Sequence, residues 1–227
     1  MIQDLPSLSK KLGHKFTKPE LLRLALRHSS LSIGGPDGSN ERYEFLGDRV
    51  FGLVIAEILL NYFPSENEGD IAKRHTALVR KESLARVART IELGSFIEMS
   101  EGEEKSGGRQ NPSVLSDCCE AVIAALYIDG GLDIARRFIV SHWSKIIKET
   151  PNPPKDNKTA LQEWAQGRGL SVPNYIEVSR DGPAHRPVFI IEASVEGHGS
   201  VQATGKSKQK AEQMSARLLL EELTNDR

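Results

Sequence analysis

Three acidic residues in one short stretch of the sequence have the spacing of a metal-binding helix face. Glu41, Glu44 and Asp48 occur at positions i, i+3 and i+7, which lie on one side of an α-helix. The side chains around them are apolar: Tyr43, Phe45, Leu46, Val50 and Phe51. Clustered carboxylates on a buried helix repel one another, and burial raises their pKa values. A bound divalent cation relieves both costs, so this face is a candidate metal site.

A second acidic pair, Asp117 and Glu120, has the i, i+3 spacing of another helix. Its neighbours are also mostly apolar: Val114, Leu115, Ala121, Val122, Ile123, Ala124 and Ala125. Two buried helices that each carry acids on one face are able to converge on a single oxygen-rich site. Hard oxygen ligands favour Mg²⁺ or Mn²⁺ over zinc.

These acids have two other interpretations. Acidic residues on a helix face are commonly solvated or neutralised by basic neighbours, and Arg42 and Arg49 stand close by in the sequence. A di-iron carboxylate bundle instead requires Glu-x-x-His pairs on its helices. None of the six histidines stands three residues after a glutamate, which argues against redox iron.

Apolar residues at helical spacing predict a mainly α-helical domain over residues 1–148. The predicted helices span residues 21–28, 41–63, 70–90, 114–127 and 132–148. Pro64 closes the second of them, and Asp129-Gly130-Gly131 ends the fourth. The helix over 41–63 is expected to be buried, and it places the first acidic set on its N-terminal part.

A proline-rich spacer over residues 149–157 separates this part of the chain from a smaller domain over residues 158–224. Alternating apolar and β-branched residues predict three strands there, with a helix before and after them. The sequence therefore predicts an α+β domain of α-β-β-β-α order, in which two helices pack on one face of an antiparallel sheet. The predicted elements span residues 159–168, 175–180, 188–195, 200–204 and 207–223.

Composition sets limits on the class of protein. With 38% hydrophobic and 27% charged residues, the 227-residue chain is typical of globular proteins. It lacks both a run of roughly 18 apolar residues and the apolar core of a signal peptide, so we expect a cytoplasmic protein without membrane contact. The only cysteines, Cys118 and Cys119, are adjacent and are interpreted as packing residues in a reducing compartment. The net charge of −1 excludes a global basic field.

The stretch Asn40–Val50 closely resembles the signature of the ribonuclease III family, which reads N-E-R-L-E-F-L-G-D, and departs from it only at Tyr43. Four further segments resemble the family in order and spacing, and the resemblance covers essentially the whole chain. These segments are residues 68–70, 76–80, 105–108 and 115–121.

The resemblance implies an endonuclease that cuts double-stranded RNA. Glu44, Asp117 and Glu120 match the metal ligands of the family, and Asp48 matches the acid that completes the site. Our hypothesis is hydrolysis with two metals about 3.5–4 Å apart. Glu120 is the expected bridge between them, and Asp48 orients the attacking water or accepts its proton. The products are expected to carry 5′-phosphate and 3′-hydroxyl ends.

Further residues receive roles only through this resemblance. Glu41 and Glu68 match secondary acids that flank the cleavage site. Phe45 matches an aromatic at the interface of a homodimer, in which two sites cut opposite strands. The alternative for Phe45 is a place in the hydrophobic core.

The C-terminal part resembles the double-stranded-RNA-binding domain. Gln162 and Glu163 are expected to offer hydrogen-bonding groups from its first helix, and three lysines crowd the start of its last helix, where amides and the helix dipole attract phosphate. Gln209 stands where the family often has a basic residue. The remaining RNA-binding candidates are Gly182, Pro183, Ala184 and His185 in a short turn, and Lys206, Lys208 and Lys210.

Two functions remain open at this point. The first is a nuclease that processes ribosomal precursors, messenger and transfer RNA transcripts with Mg²⁺, which Mn²⁺ replaces. The second is a protein that binds double-stranded RNA without cutting it, with a helical half that only dimerises. Retention of four acids on apolar helices favours the nuclease, since a binder has no use for unpaired buried acids.

Overall fold

The structure is a computed structural model that describes residues 5–32, 34–35, 38–149, 156–183 and 186–225. The chain divides into two compact units, Met1–Pro154 and Lys155–Arg227, and each is described by itself. The spacer predicted over residues 149–157 falls largely on residues 150–155, which lie outside the described residues.

The first unit is built from helices, as predicted. Three short 3₁₀ turns, at Ser29–Leu31, Leu93–Ser95 and Gly108–Gln110, lie between them. The helices are α1 (Leu5–Leu12), α2 (Pro19–Ala25), α3 (Glu41–Tyr62), α4 (Glu68–Leu78), α5 (Lys81–Thr90), α6 (Glu101–Lys105) and α7 (Pro112–Lys148).

Helices α3 and α7 form the centre of this unit, and α2 and α5 also pack on α7. The backbone of α7 leaves the helical conformation at Gly131 (φ 77°, ψ −178°), where the sequence predicted the end of a helix. Beyond that break, Trp143 lies fully buried with its ring 4.7 Å from that of Phe51 on α3. Its Nε1 donates a hydrogen bond of 2.8 Å to Ser83 Oγ on α5, so the buried indole keeps a polar partner.

Two expectations about the helices were wrong. The single helix predicted over residues 70–90 is two helices, because Arg80 has extended backbone (φ −68°, ψ 150°) and begins a new helix. Its carbonyl accepts the N–H of Ser83 at 2.9 Å, which is the first bond of α5. Helix α3 is also only partly buried: Phe45, Leu53 and Leu60 expose 66%, 59% and 63% of their surface. Apolar spacing identified these residues as helical but not which of them face solvent.

The second unit has the predicted α-β-β-β-α order. It consists of α8 (Asn157–Gln166), β1 (Asn174–Asp181), β2 (Val188–Val195), β3 (Gly199–Gly205) and α9 (Lys208–Asn225). The strands form an antiparallel sheet in the order β1-β2-β3, with an irregularity in β1 between Glu177 and Ser179. Its core combines residues of both helices with inward residues of β2: Leu161, Ala165, Ala193, Val195, Ala216 and Leu219.

Among the helices that the structure describes, none combines the length and the apolar character needed to cross a membrane.

Candidate functional site

The acidic residues meet at a close contact between α3 and α7. A Cβ atom added at Gly47 would lie 1.8 Å from the carbonyl oxygen of Glu120, so only glycine permits this spacing. The two helices are also held by one carbonyl on α2. Ala25 O accepts from Asn40 Nδ2 at 3.3 Å and from Cys118 Sγ at 3.5 Å. One backbone carbonyl on α2 therefore holds both the start of α3 and the turn of α7 that carries Asp117 and Glu120.

Three carboxylates converge at this contact. Glu44, Asp117 and Glu120 each offer one oxygen, and these oxygens lie within 4.8 Å of one another. They come from two helices: Glu44 lies on α3, and Asp117 and Glu120 follow on α7, 73 and 76 positions later in the sequence. One member of the first acidic set therefore lies together with both members of the second.

Burial raises the pKa values of these acids. It is the main cause that brings the pKa of the Glu120 carboxyl to about 8, and the charges of Asp48, Asp117 and Glu44 act in the same direction. The pKa of Glu44 is also raised, first by burial and then by three neighbouring acids: Asp117, Glu41 and Asp48. Only 9% of Glu120 is exposed. The cluster therefore brings several carboxyl groups together at a place where water solvates their charged forms poorly.

Asp117 differs from the other two because two basic side chains stand nearby. Burial raises its pKa, but Lys81 and His28 oppose that increase. Neither residue was predicted from the sequence to belong to the site. His28 follows α2 in the chain, and its Nδ1 accepts a hydrogen bond of 3.1 Å from the backbone N–H of Ser30. This bond orients the imidazole ring.

Asp48 stands at the edge of the cluster, with 42% of its side chain exposed. Its charge acts on both Glu44 and Glu120, and its Oδ2 accepts a hydrogen bond from Arg49 Nη1. One basic neighbour therefore does pair with an acid of the set, as the alternative interpretation required. Asp48 remains beside the cluster and open to solvent.

The two secondary acids are placed differently. Glu41 is exposed at the start of α3, accepts a hydrogen bond of 2.7 Å from Ser39 Oγ and acts on the pKa of Glu44. Glu68 is exposed at the first position of α4, whose cap is Asn67. Within the described residues, Glu68 belongs neither to the group of converging oxygens nor to the charges that shift the pKa of the buried acids.

The donor set fits a hard divalent cation. Carboxylate oxygens are the ligands that Mg²⁺ and Mn²⁺ prefer, and the nearby thiols are unsuited to compete. Burial holds the pKa of Cys118 and of Cys119 above the usual range of a thiol, so both stay protonated. A dication bound by the three carboxylates would stabilise their charged forms and offset the cost of burying them.

Phe45 does not belong to the hydrophobic core. Its ring is exposed on α3 beside an open groove of about 690 Å³, and Arg49 lies over the ring with Cζ 5.3 Å from the centroid. The interpretation of Phe45 as a core residue was therefore wrong. The groove is lined by Glu41, Arg42, Tyr43, Phe45, Leu46 and Ile128.

The second unit presents most of its candidate residues to solvent. Gln162 and Glu163 are exposed on α8, and Gly182 (φ 86°) turns the chain beside the exposed Pro183. Ala184 and His185 lie outside the described residues. Exposed lysines stand before and within the first turn of α9: Lys206, Lys208 and Lys210.

The start of α9 is held close to the sheet. Ser207 Oγ accepts the N–H of Lys210 at 3.3 Å, and a Cβ added at Gly205 would lie 2.4 Å from the nitrogen of Ala211. Lys208 Nζ lies 3.6 Å from Glu177 Oε2 on β1, a weak exposed ion pair. The backbone that carries these lysines is therefore held against the sheet, and their side chains are exposed to solvent.

Comparison with known proteins identifies both units. The family model described as Ribonuclease-III-like matches residues 18–147, and the model described as double-stranded RNA binding motif matches residues 157–223. The chain therefore belongs to the ribonuclease III family of endoribonucleases, and its second unit is a double-stranded-RNA-binding domain.

Individual relatives support this assignment over nearly the full length. The chain is 46% identical over 224 residues to Ribonuclease 3 of Dinoroseobacter shibae, covering 99% of this chain and 97% of the relative. It is 48% identical over 221 residues to Ribonuclease 3 of Rhodobacter capsulatus, covering 97% and 96%. Among solved structures, the nuclease domain of ribonuclease III from Campylobacter jejuni is similar, at 39% identity and a TM-score of 0.58. That comparison covers 62% of this chain and 99% of the other.

Proposed function

We propose that the protein hydrolyses phosphodiester bonds of double-stranded RNA at the cluster of Glu44, Asp48, Asp117 and Glu120. The observation that carries this proposal is the convergence of three carboxylates at a buried helix contact, where the pKa of Glu120 is raised to about 8. The charged form of such a site is costly to bury, and a bound cation stabilises it.

Glu44, Asp117 and Glu120 would hold the metal, Mg²⁺ with Mn²⁺ as a substitute. Bound divalent metals lower the pKa of water and neutralise charge on the phosphate. We propose that two ions would supply these effects. Glu120 would be their main ligand, because it is the most buried of the four acids and the charges of the other three raise its pKa.

Asp48 is proposed to act on the attacking water and not as a metal ligand. Its carboxylate is half exposed at the edge of the cluster, where an attacking water is able to reach it. Asp48 Oδ2 orients that water and accepts its proton, for which it must leave Arg49. A P–O bond to the water oxygen forms and the P–O3′ bond breaks. The leaving O3′ takes up a proton from solvent, so the products carry a 5′-phosphate and a 3′-hydroxyl. Glu41 and Glu68 are proposed only as flanking acids.

The substrate class follows from the second unit. Its domain type binds duplex RNA largely by shape, over about 16 base pairs. We propose that the exposed residues of α8, the turn at Gly182–Pro183 with Ala184 and His185, and the three lysines before and within α9 contact the RNA. Ribosomal precursors and structured messenger and transfer RNA transcripts are the expected substrates, and the cytoplasm is the expected compartment of the reaction.

We also propose that the protein acts as a homodimer. Exposed apolar residues follow one face of α3, namely Phe45, Leu53 and Leu60, and isolated chains rarely expose such a stripe. A two-fold contact would bring Phe45 of each subunit to the groove beside the partner's α3. The Campylobacter jejuni structure is described as showing flexibility in a region involved in dimer formation, which agrees with this proposal.

Glu120→Gln tests the cleavage site. A duplex RNA is incubated with the wild-type chain or the variant, with and without Mg²⁺, and the ends of the products are analysed. We expect cleavage only by the wild-type chain with Mg²⁺, and a loss of about a thousandfold in the variant. Glu20→Gln, at an exposed acid in the first turn of α2, is the matched control and should cut normally. Cleavage by Glu120→Gln at nearly the wild-type rate contradicts the proposal.

A further inference from the structure

Lys81 reaches from one helix to another beside the acidic cluster. It is the first residue of α5, exposed to solvent, and its Nζ donates a hydrogen bond of 3.2 Å to Ser113 Oγ. Ser113 is the second residue of α7 and stands four positions before Asp117. An exposed lysine usually samples many conformations, but this one is directed towards α7 by a defined acceptor.

The position of Ser113 brings the ammonium group close to the metal-binding carboxylates. Residues at i and i+4 share one helix face, with Cβ atoms roughly 5–6 Å apart. Lys81 therefore stands about one helical turn from Asp117, on the side of α7 from which that carboxylate projects. Its effect on Asp117 agrees with this placement, because the charge of Lys81 opposes the increase that burial causes in the pKa of that acid.

The proposed metal would neutralise only part of the electrostatic repulsion between the acidic cluster and the RNA backbone. Four acids repel the phosphate backbone, and bound metal neutralises mainly the phosphate that is being cut. The neighbouring phosphates of the same strand follow at intervals of about 3.4 Å along the helix axis, each with its own charge. The distance of one helical turn between Lys81 and Asp117 is comparable to the spacing of phosphates along the strand. The ammonium group is therefore able to bind a phosphate near the one that is cut.

We propose that Lys81 binds the backbone phosphate next to the scissile one and thereby positions the RNA strand at the acidic cluster. Ser113 holds its ammonium group in place for this contact. The inference rests on the proposed cleavage site but goes beyond it, since it assigns RNA contact to a residue of the first unit outside the acids. The lysines of α9 would bind duplex RNA in any register, whereas Lys81 would bind a phosphate at a fixed distance from the cut.

The competing explanation is that Lys81 only ties α5 to α7. Lys81→Gln keeps a polar group for Ser113 and removes the charge, and Lys81→Arg keeps the charge. Lys145→Gln is the matched control, because Lys145 is an exposed lysine in the last turn of α7, 28 positions after Asp117. For all full-length proteins, kcat and KM are measured on one duplex RNA with Mg²⁺ over a range of salt concentrations.

We expect Lys81→Gln to raise KM about five- to tenfold with little change in kcat, and to make the slope of log kcat/KM against log salt shallower by about one. Lys81→Arg should restore most of the loss, and Lys145→Gln should match the wild-type chain. A structural tie predicts a different result: a lower melting temperature, with KM and salt slope unchanged for the folded fraction. That result, or normal kinetics throughout, would overturn the inference.

A second measurement locates the contact on the RNA. Duplexes are prepared in which one phosphate at a time is a neutral methylphosphonate, and cleavage is compared in wild type and Lys81→Gln. The neutral linkage next to the cut should slow the wild-type chain but not the variant, while effects at distant linkages stay equal. Equal sensitivity of both proteins at every linkage contradicts the contact. If the wild-type chain fails to cut unmodified duplex with Mg²⁺, the proposed function fails instead, so the two failures are distinguishable.

Discussion

At the scale of single residues, Glu120 has the least favourable position of the four acids. Its carboxylate is almost fully buried and faces three other negative charges. Without a cation the side chain is expected to stay protonated at neutral pH, because its pKa is raised to about 8. The folded chain then binds a proton that the unfolded chain releases, and this difference makes stability depend on pH.

The direction of that dependence is a first prediction. In EDTA, the stabilisation from protonated Glu120 is complete below the ordinary pKa of 4.5 and is lost as pH rises towards about 8. The Glu120→Gln variant has no carboxyl group at this position, so its stability does not fall in this way as pH rises. We expect both proteins to melt alike near pH 5, and the variant to be more stable at pH 8 by on the order of 1–2 kcal/mol after solvent screening.

Differential scanning calorimetry at both pH values, with and without Mg²⁺, measures this difference. Added Mg²⁺ should raise the melting temperature of the wild-type chain at pH 8 more than that of the variant. A variant that is less stable than the wild-type chain at pH 8 in EDTA contradicts the account.

Lys208 provides a second prediction at this scale. It is exposed in the first turn of α9, and its ion pair with Glu177 is too long and too solvated to hold it. Lys208→Ala should weaken duplex binding and reduce the salt dependence by about one phosphate contact, without moving the cut. Arg217→Ala, two turns further along α9, is the control. Filter binding over a series of salt concentrations measures the affinity, and mapping of the product ends locates the cut. An unchanged affinity at moderate salt would contradict a role of Lys208 in RNA binding.

At the scale of elements, the site depends on how closely α3 and α7 approach. Gly47 lies against the backbone of Glu120, so the helix contact and the position of a proposed metal ligand are set by the same glycine. Helices that pack through ordinary side chains stay about 8–10 Å apart. A glycine at the crossing is what allows Glu44 and Glu120 to bring their oxygens together.

Gly47→Ala is therefore predicted to be damaging although alanine favours helices. The added Cβ would meet the carbonyl oxygen of Glu120 at 1.8 Å, which forces the helices apart. We expect a loss of about 1–3 kcal/mol in the free energy of unfolding and a large loss of cleavage. Gly52→Ala, in the same helix, has its nearest neighbour at 3.7 Å and should be neutral or stabilising by up to about 1 kcal/mol. Urea unfolding and cleavage of both variants provide the measurement; equal stability of the two would show that the close contact is not needed.

Gly47 and Gly52 show which features of the helices the sequence predicts and which it does not. Acid spacing and apolar periodicity predicted both helices and the meeting of the two acidic sets. A glycine inside an apolar helix also signals a close approach, but Gly47 and Gly52 carry the same signal, and only the packing tells them apart. Lys81 escaped prediction for a similar reason, because its link to Ser113 joins residues 32 positions apart.

The break between α4 and α5 was missed because its cause is not a proline or glycine. Val79 and Arg80 are compatible with a helix, yet Arg80 adopts extended backbone and starts α5. Likewise, apolar spacing alone does not separate residues that face a core from residues that face a partner. For that reason the exposure of Phe45 on α3 had to come from the structure.

At the scale of the whole molecule, the exposed face of α3 predicts self-association. Phe45→Asp places a charge on that face, where burial against a second copy would be costly. We expect the wild-type chain to sediment as a dimer and the variant as a folded monomer, since Phe45 is already 66% exposed within one chain. Val172→Asp, at a residue 63% exposed in the second unit, should leave the dimer intact. A wild-type monomer, or a Phe45→Asp variant that still dimerises, contradicts this prediction.

The central claim is that the converging acids form one metal-dependent site for cutting duplex RNA. Its most direct test is the single-turnover cleavage rate of a fully paired, end-labelled duplex, measured in EDTA and then over increasing Mg²⁺. The account predicts no cleavage in EDTA, a saturable increase with Mg²⁺ for the wild-type chain, and a rate for Glu120→Gln about a thousandfold lower at every concentration. Cleavage that persists undiminished in EDTA, or a Glu120→Gln rate within about tenfold of wild type, would contradict it.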